Sequence, residues 1–180
     1  MKLNHEKQIQ IKAGPILICM IWLGWMGLIF WFSSKPAAVS QKQSHAVGEM
    51  VCSVLVSGYQ KWSSAKQLKE AVLIDHFIRK TAHFTEYTIL GILTANVRQI
   101  MYRLRSGKAE QDCSAFKKSL WRASSLPILW CSLYASSDEF HQLFVPGRSG
   151  RWQDVLLDSA GALTGILLTG VLIRRRKKKF

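Results

Sequence analysis

The sequence predicts an all-α fold: a polytopic membrane protein with four transmembrane helices, both termini in the cytoplasm and short amphipathic helices in the first outer loop. The first observation is that the apolar residues fall into long blocks, while the basic residues lie between them. The second is that the chain holds seven Trp and eight Phe, many near block edges, which suits an aromatic belt at a membrane surface. The third is that 180 residues give room for one domain, which these blocks fill.

The blocks define the predicted domain boundaries. Four spans are predicted, at residues 13–32, 80–97, 123–142 and 154–173. The first has about the 20 residues that a helix needs to cross about 30 Å of hydrocarbon, and it is too long and bulky for the apolar core of a signal peptide. Residues 1–12 and 174–180 are basic tails, so a single membrane domain covers residues 13–173.

The first outer loop, residues 33–79, has amphipathic content of its own. Two short helices are predicted from apolar residues at helical spacing, one through Val47, Met50, Val51, Val54 and Leu55 and one through Leu68, Ala71, Val72, Ile74, Phe77 and Ile78. Neither is long enough to span a membrane. Both either lie in the membrane interface or pack on the other helices, and the sequence leaves these alternatives open.

The distribution of basic residues predicts the orientation. The two tails and the loop at residues 98–122 hold sixteen Lys or Arg, and the opposite side holds nine. Because basic residues are enriched in cytoplasmic loops, the tails and this loop are predicted to be cytoplasmic, in a multi-pass protein of the cell membrane. The basic run at residues 174–179 follows a span directly, which is typical of an anchor beside anionic lipid, and no nucleic-acid partner is expected.

Ionisable residues of the later spans lie toward the outer ends of their helices. A predicted cluster therefore combines Lys80, His83, Glu86 and Tyr87 from the second span, Asp138, Glu139, His141 and Gln142 from the third, and Asp154 and Asp158 from the fourth. A charged group costs about 2.5–3.5 kcal/mol at the centre of a membrane helix, so such a cluster indicates a site. The face of Asp154 and Asp158 continues through Gly161 and Gly165, whose small size permits close helix packing.

The residue types in the cluster suit several kinds of site. Lys80, Arg148 and Arg151 suit an anionic head group, since the planar guanidinium matches phosphate or carboxylate. Together with these three, the predicted ligand-binding residues are Tyr87, Gln142, Asp154 and Asp158. Acid–base catalysis by a histidine that a carboxylate orients is the second possibility, and its candidates are His83, Glu86, Asp138, Glu139 and His141.

Two further interpretations of the cluster stay open. The pairs His83-x-x-Glu86 and Asp138-x-x-His141 could each offer two ligands to a divalent metal, although no metal site is assigned and no cofactor is identified. A purely structural network of interhelical salt bridges and hydrogen bonds is the other interpretation. The cysteines are spaced unlike those of zinc or redox sites; they are Cys19, Cys52, Cys113 and Cys131.

Four segments together resemble the VanZ-like membrane protein family. They are Phe32-Ser33-Ser34 after the first span, residues 79–87 (RKTAHFTEY) at the second, residues 137–148 (SDEFHQLFVPGR) at the third and residues 154–161 (DVLLDSAG) at the fourth. The resemblance spans roughly residues 15–172, and the combined order of the segments is specific. It implies a small multi-pass bacterial protein of the cell envelope, in a family associated with resistance to teicoplanin and related glycopeptide antibiotics.

The expected function is therefore the binding or handling of an anionic lipid-linked or lipid-like ligand at the outer leaflet. The expected partners are membrane lipid and a lipid-linked cell-wall precursor or a lipoglycopeptide. Two alternatives stay open: a membrane-embedded hydrolase or transferase that uses His and carboxylate acid–base chemistry, and a structural accessory subunit.

Overall fold

The computed structural model describes residues 2–106 and 120–177, with side chains described over residues 14–105 and 125–175. This part of the chain is helical and contains no strand, which confirms the all-α class. Its α-helices are α1 (Lys2–Ser33), α2 (Ala37–Leu55), α3 (Ser64–Ser106), α4 (Leu120–Gln142) and α5 (Trp152–Lys177), with a 3-10 turn at Tyr59–Lys61. Lys108, Cys113, Lys117 and Lys118, which the sequence assigns to the basic middle loop, lie outside the described residues.

Two helices in the described residues are long and apolar enough to cross a membrane, over Gly14–Ser33 of α1 and Trp152–Arg175 of α5. Helices α3 and α4, which contain the second and third predicted spans, are not among them, so four crossings stay a prediction. The predicted tails are not separate from the spans, because α1 already begins at Lys2 and α5 continues to Lys177.

Helix α3 corrects the predicted organisation of the middle of the chain. The short helix predicted through residues 68–78, the span at residues 80–97 and the loop as far as Ser106 form one helix of 43 residues. At 1.5 Å per residue it is about 65 Å long, which is about twice the thickness of a membrane's hydrocarbon layer. The charged residues on which the predicted boundaries rested can lie within a continuous helix, because charged side chains do not break its backbone hydrogen bonds.

Helix α2 runs antiparallel to the first part of α3, and the two form a hairpin (residues 37–79). The face of α2 that packs on α3 is its small one, since Ser44, Gly48 and Cys52 are buried and a Cβ at Gly48 would contact Ile74 and Ile78. The apolar stripe that predicts this helix faces outward: Met50 is 70% exposed and Val54 is 76% exposed. The helix is present, but its stripe is not the surface that packs on α3.

The bundle beyond the hairpin is built on close contact between α3 and α5. A Cβ at Gly165 would overlap the Thr88 carbonyl oxygen, and one at Gly161 would lie 2.5 Å from the Phe84 carbonyl oxygen. Glycine on α5 therefore lets the two backbones touch, as predicted for this face. The buried apolar core beside this contact consists of Ile29, Tyr87, Leu90, Cys131, Ala135 and Ala162.

Helix α1 is held to the bundle by three hydrogen bonds from aromatic side chains. Trp22 Nε1 donates to Thr94 Oγ1 at 2.9 Å and Trp25 Nε1 donates to the Glu86 carbonyl at 3.0 Å. The hydroxyl of Tyr134 donates to the carbonyl of Met26 at 2.7 Å. These bonds fix the position of α1 along the axis of the bundle, and they place the end of α1 beside the predicted polar cluster.

Candidate functional site

The polar residues of α3, α4 and α5 meet at one end of the bundle. Lys80 Nζ lies 3.4 Å from Asp154 Oδ1, which joins α3 to the first turn of α5. The backbone N–H of Arg151 donates to Glu139 Oε2 at 2.9 Å, which joins that turn to α4. The structure therefore brings side chains from all three helices into one place. We refer to the following residues as the polar cluster: Lys80, His83, Glu86, Tyr87, Asp138, Glu139, Gln142, Asp154 and Asp158.

The interior of the polar cluster is acidic and incompletely paired. Asp138 is 2% exposed and Asp158 is 0% exposed. The amide of Gln142 donates to Asp138 Oδ2 at 3.2 Å and to Glu139 Oε1 at 3.0 Å. Among the described residues, no hydrogen-bond partner reaches either oxygen of Asp158 or the Tyr87 hydroxyl. Buried polar atoms are nearly always paired, so the Asp158 oxygens need a donor from beyond the described residues or a bound proton, and the Tyr87 hydroxyl needs an acceptor.

The rim of the polar cluster is more accessible. The side chains of Lys80 and Asp154 are 40% and 30% exposed. His83 Nδ1 lies 3.8 Å from Glu86 Oε2, which is beyond hydrogen-bond distance, and both side chains are partly exposed. This rim is where a ligand would first meet the cluster.

Arg148 lies between the polar cluster and the end of α1. It follows Gly147, whose φ of 74° is the left-handed conformation that glycine adopts at no steric cost. Its Nε donates to the Lys35 carbonyl at 3.1 Å, and its terminal nitrogens reach the Phe32 carbonyl and Gln142 Oε1, each at 3.4 Å. These bonds satisfy carbonyls at the C-terminal end of α1, which have no partner within the helix.

The charge of Arg148 persists in this half-buried position. Desolvation lowers the pKa of Arg148 from its ordinary value, and the nearby carboxylates of Asp138 and Glu139 act in the opposite direction. A guanidinium stays protonated at physiological pH because its ordinary pKa is above about 12. It also carries more N–H donors than these three bonds use, so Arg148 can hold α1 and still bind an anion.

Two predicted site residues are placed differently from the rest. His141 faces α1: its ring stacks on Phe30 with centroids 4.5 Å apart, and its Nε2 lies 3.2 Å from Ser34 Oγ. The side chain of Arg151 is exposed, and its backbone contacts the polar cluster: the N–H donates to Glu139, and the carbonyl accepts from the Asp154 N–H at 2.9 Å. The structure therefore gives His141 a hydroxyl partner and gives Arg151 a backbone role.

Sequence reasoning assigned no role to Ser33 and Ser34. Ser33 is 1% exposed, and its hydroxyl lies beside the carboxyl group of Asp138. The available signal was position, because two hydroxyls follow the last aromatic turn of α1 at the end where the charged residues collect. Asp75 was missed too: it is 4% exposed in the hairpin, with Arg79 Nη2 3.1 Å from its Oδ2.

The composition of the polar cluster limits what it can bind. Five carboxyl groups surround Lys80 and Arg148: those of Glu86, Asp138, Glu139, Asp154 and Asp158. The residues that the structure describes include no group of three or more His, Cys, Asp or Glu arranged to hold a metal ion.

A cavity of about 440 Å³ lies away from the polar cluster, along α2, where it is lined by Lys42, His45 and Glu49 among others.

The model of the VanZ/LLP1 family matches residues 17–173 of the chain. The match includes the apolar part of α1, nearly all of α5, and every residue of the polar cluster. No curated protein and no solved structure shows a significant match to the chain.

Proposed function

The chain belongs to the VanZ/LLP1 family, and we propose that it is a multi-pass membrane protein of the cell envelope that binds the head group of an anionic, lipid-linked ligand at the outer leaflet. The observation that carries this proposal is the incomplete pairing of the polar cluster. Asp158 is fully buried, yet both of its carboxylate oxygens lack a partner in the described residues. An unpaired buried carboxylate costs several kcal/mol, and a ligand with donor groups removes that cost.

The proposed topology has four crossings, by α1, α3, α4 and α5, with both termini in the cytoplasm. Helices α1 and α5 are apolar enough to cross alone, and α3 packs along α5 through glycine contacts that continue from Phe84 past Thr88. The excess of basic residues in the tails and middle loop supports placing the polar cluster at the outer side.

This topology can be tested with reporter fusions. Alkaline phosphatase inserted after Gly58, between α2 and α3, is expected to be active because that site is outside. The same enzyme inserted after Ser106 is expected to be inactive. Activity only at the second site would put the polar cluster on the cytoplasmic side and refute the outer-leaflet site.

The ligand is expected to combine an anionic group with hydrogen-bond donors. Lys80 and Arg148 provide cations at the rim, while the unpaired oxygens of Asp158 accept hydrogen bonds deeper in the bundle. Because carboxylates outnumber cations here, an inorganic phosphate alone fits less well than a head group with hydroxyl, amide or ammonium groups. A lipid-linked cell-wall precursor and a lipoglycopeptide both have this mixed character.

Binding can be measured with purified protein in lipid nanodiscs. The probes are an undecaprenyl-diphosphate-linked disaccharide peptide in one arm and teicoplanin in the other, so that the two ligand sources are distinguished. Asp158→Asn and Lys80→Ala are each expected to weaken binding about 10- to 100-fold, since one charged hydrogen bond contributes about 1.5–3 kcal/mol. Lys69→Ala is the matched control, because Lys69 is an exposed lysine on the same helix.

The choice of variants separates binding from folding. Arg148→Ala is a poor single test because Arg148 also holds the end of α1, whereas the 40% exposed side chain of Lys80 can be removed with less effect on the bundle. If folded Asp158→Asn and Lys80→Ala proteins bind both probes like the parent, the proposal is wrong. If the variants only reduce folded yield, the polar cluster is a structural network.

A further inference from the structure

Ser34, which directly follows α1, contacts His141 near the end of α4. Ser34 Oγ lies 3.2 Å from His141 Nε2, although the two residues are 107 positions apart. The His141 ring is held by stacking on Phe30, with ring centroids 4.5 Å apart. A hydroxyl within hydrogen-bond reach of an imidazole that a third group orients is the arrangement found in activated serine nucleophiles.

The hydroxyl hydrogen of Ser34 has two acceptors within reach. One is the Phe30 carbonyl at 2.7 Å, and the other is His141 Nε2. A serine hydroxyl rotates to suit its partners, so it can point to His141 when that ring carries its proton on Nδ1. Asp138 lies one helical turn before His141 on the same helix.

A positive charge lies beside the same turn of α1. Arg148 donates to the carbonyls of Phe32 and Lys35, which flank Ser34 in the chain. Donors and cations at the position where negative charge develops contribute most to acyl-transfer catalysis. Large apolar side chains are exposed at this end of the molecule, including Trp31 at 58% and Phe144 at 71%, and they offer a surface to an acyl chain.

We propose that Ser34 and His141 form a nucleophile–base pair that transfers an acyl group from an ester-bearing amphiphile. This activity goes beyond the proposed binding function, because it uses the α1 side of α4 and needs neither Lys80 nor Asp158. The substrate class is an acyl ester whose chain lies in the lipid beside Phe144 and whose carbonyl reaches Ser34.

The reaction proceeds in two steps, acylation of Ser34 and hydrolysis of the acyl-Ser34 ester. In the first, Ser34 Oγ forms a bond to the ester carbonyl carbon and passes its proton to His141 Nε2. The ester C–O bond then breaks, and the alcohol leaves with the proton that His141 returns to it. In the second step, water attacks the acyl-Ser34 ester, His141 accepts a proton from the water and gives it to Ser34 Oγ, and the carboxylic acid is released.

The test uses a long-chain alkyl fluorophosphonate, which modifies activated serines, on the full chain in detergent micelles. Peptide mass mapping of the unchanged protein is expected to find the phosphonyl group on Ser34. His141→Gln is expected to slow labelling at least 100-fold, which is the low end of a general base's contribution. Ser137→Ala is the matched control and is expected to label like the parent, because Ser137 is exposed and bonds only its own helix, at the Tyr134 carbonyl.

The outcomes are distinct even where a variant fails to fold, because mapping of the unchanged chain locates the reactive residue. An unlabelled Ser34 overturns the proposal. So does labelling of Ser34 that His141→Gln leaves unchanged, since the serine would then react without its base. Neither result affects the binding proposal, which depends on Lys80 and Asp158.

Discussion

Replacing Gly161 by Ala tests the contact on which the bundle depends. An added Cβ would lie 2.5 Å from the Phe84 carbonyl oxygen, whereas ordinary contact begins at 3.4 Å, so α3 and α5 must separate by about 0.9 Å. Both partners are helix backbone and cannot rotate away. Overpacking of this kind costs about 1–3 kcal/mol, and alanine's higher helix propensity recovers at most about 1 kcal/mol. We expect a net loss of up to about 2 kcal/mol.

The matched control is Gly170→Ala on the same helix. Apart from its chain neighbours and its own helix backbone, no atom of the described residues lies within 4 Å of a Cβ built at Gly170, so this change is expected to be neutral or to stabilise by up to about 1 kcal/mol. Both proteins can be unfolded reversibly by adding sodium dodecyl sulfate to dodecyl maltoside micelles, with far-ultraviolet circular dichroism as the signal. Equal unfolding midpoints for the two variants would show that α3 and α5 are not in backbone contact, and the position of the polar cluster would need revision.

Two further changes test how the other helices are held. Tyr134→Phe removes the hydrogen bond to the Met26 carbonyl and is expected to cost about 1 kcal/mol in the same unfolding assay; an unchanged midpoint would mean that α1 is held without it. Asp75→Ala removes the hydrogen bond that Asp75 accepts from Ser44 of α2, together with the ion pair to Arg79 on its own helix, and is expected to loosen the hairpin by about 1–3 kcal/mol. Hydrogen exchange of α2 should then accelerate while that of α5 does not, and unchanged protection of α2 would contradict this account.

The positions of charged residues along the sequence were the main basis for predicting the polar cluster. Residues that cost free energy in lipid must share one polar region, so ionisable groups at the same predicted end of several helices indicate a common site. The structure places Lys80 against Asp154 and Glu139 against the turn before α5. The small face of α5 was also readable, because Gly161 and Gly165 continue the row that starts at Asp158.

What the sequence could not provide was the direction of individual side chains and the length of α3. Periodicity identifies an apolar face but not its neighbour, and so it could not show that α2 packs through Ser44 and Gly48. A three-residue spacing puts Asp138 and His141 near each other on α4, but the partner of His141 is Ser34, which is 107 residues away in sequence. Such a contact depends on where along the bundle axis α1 packs, and no local sequence pattern encodes that position.

The uninterrupted course of α3 has a mechanical consequence. One rigid rod carries the hairpin at one end, Lys80 and Tyr87 in its middle, and Arg103 and Arg105 at the other. A tilt of α3 near Lys80 would therefore be conveyed to the basic end without any hinge to absorb it. In the four-span topology proposed above, such a rod would connect the polar cluster mechanically to the opposite side of the bilayer.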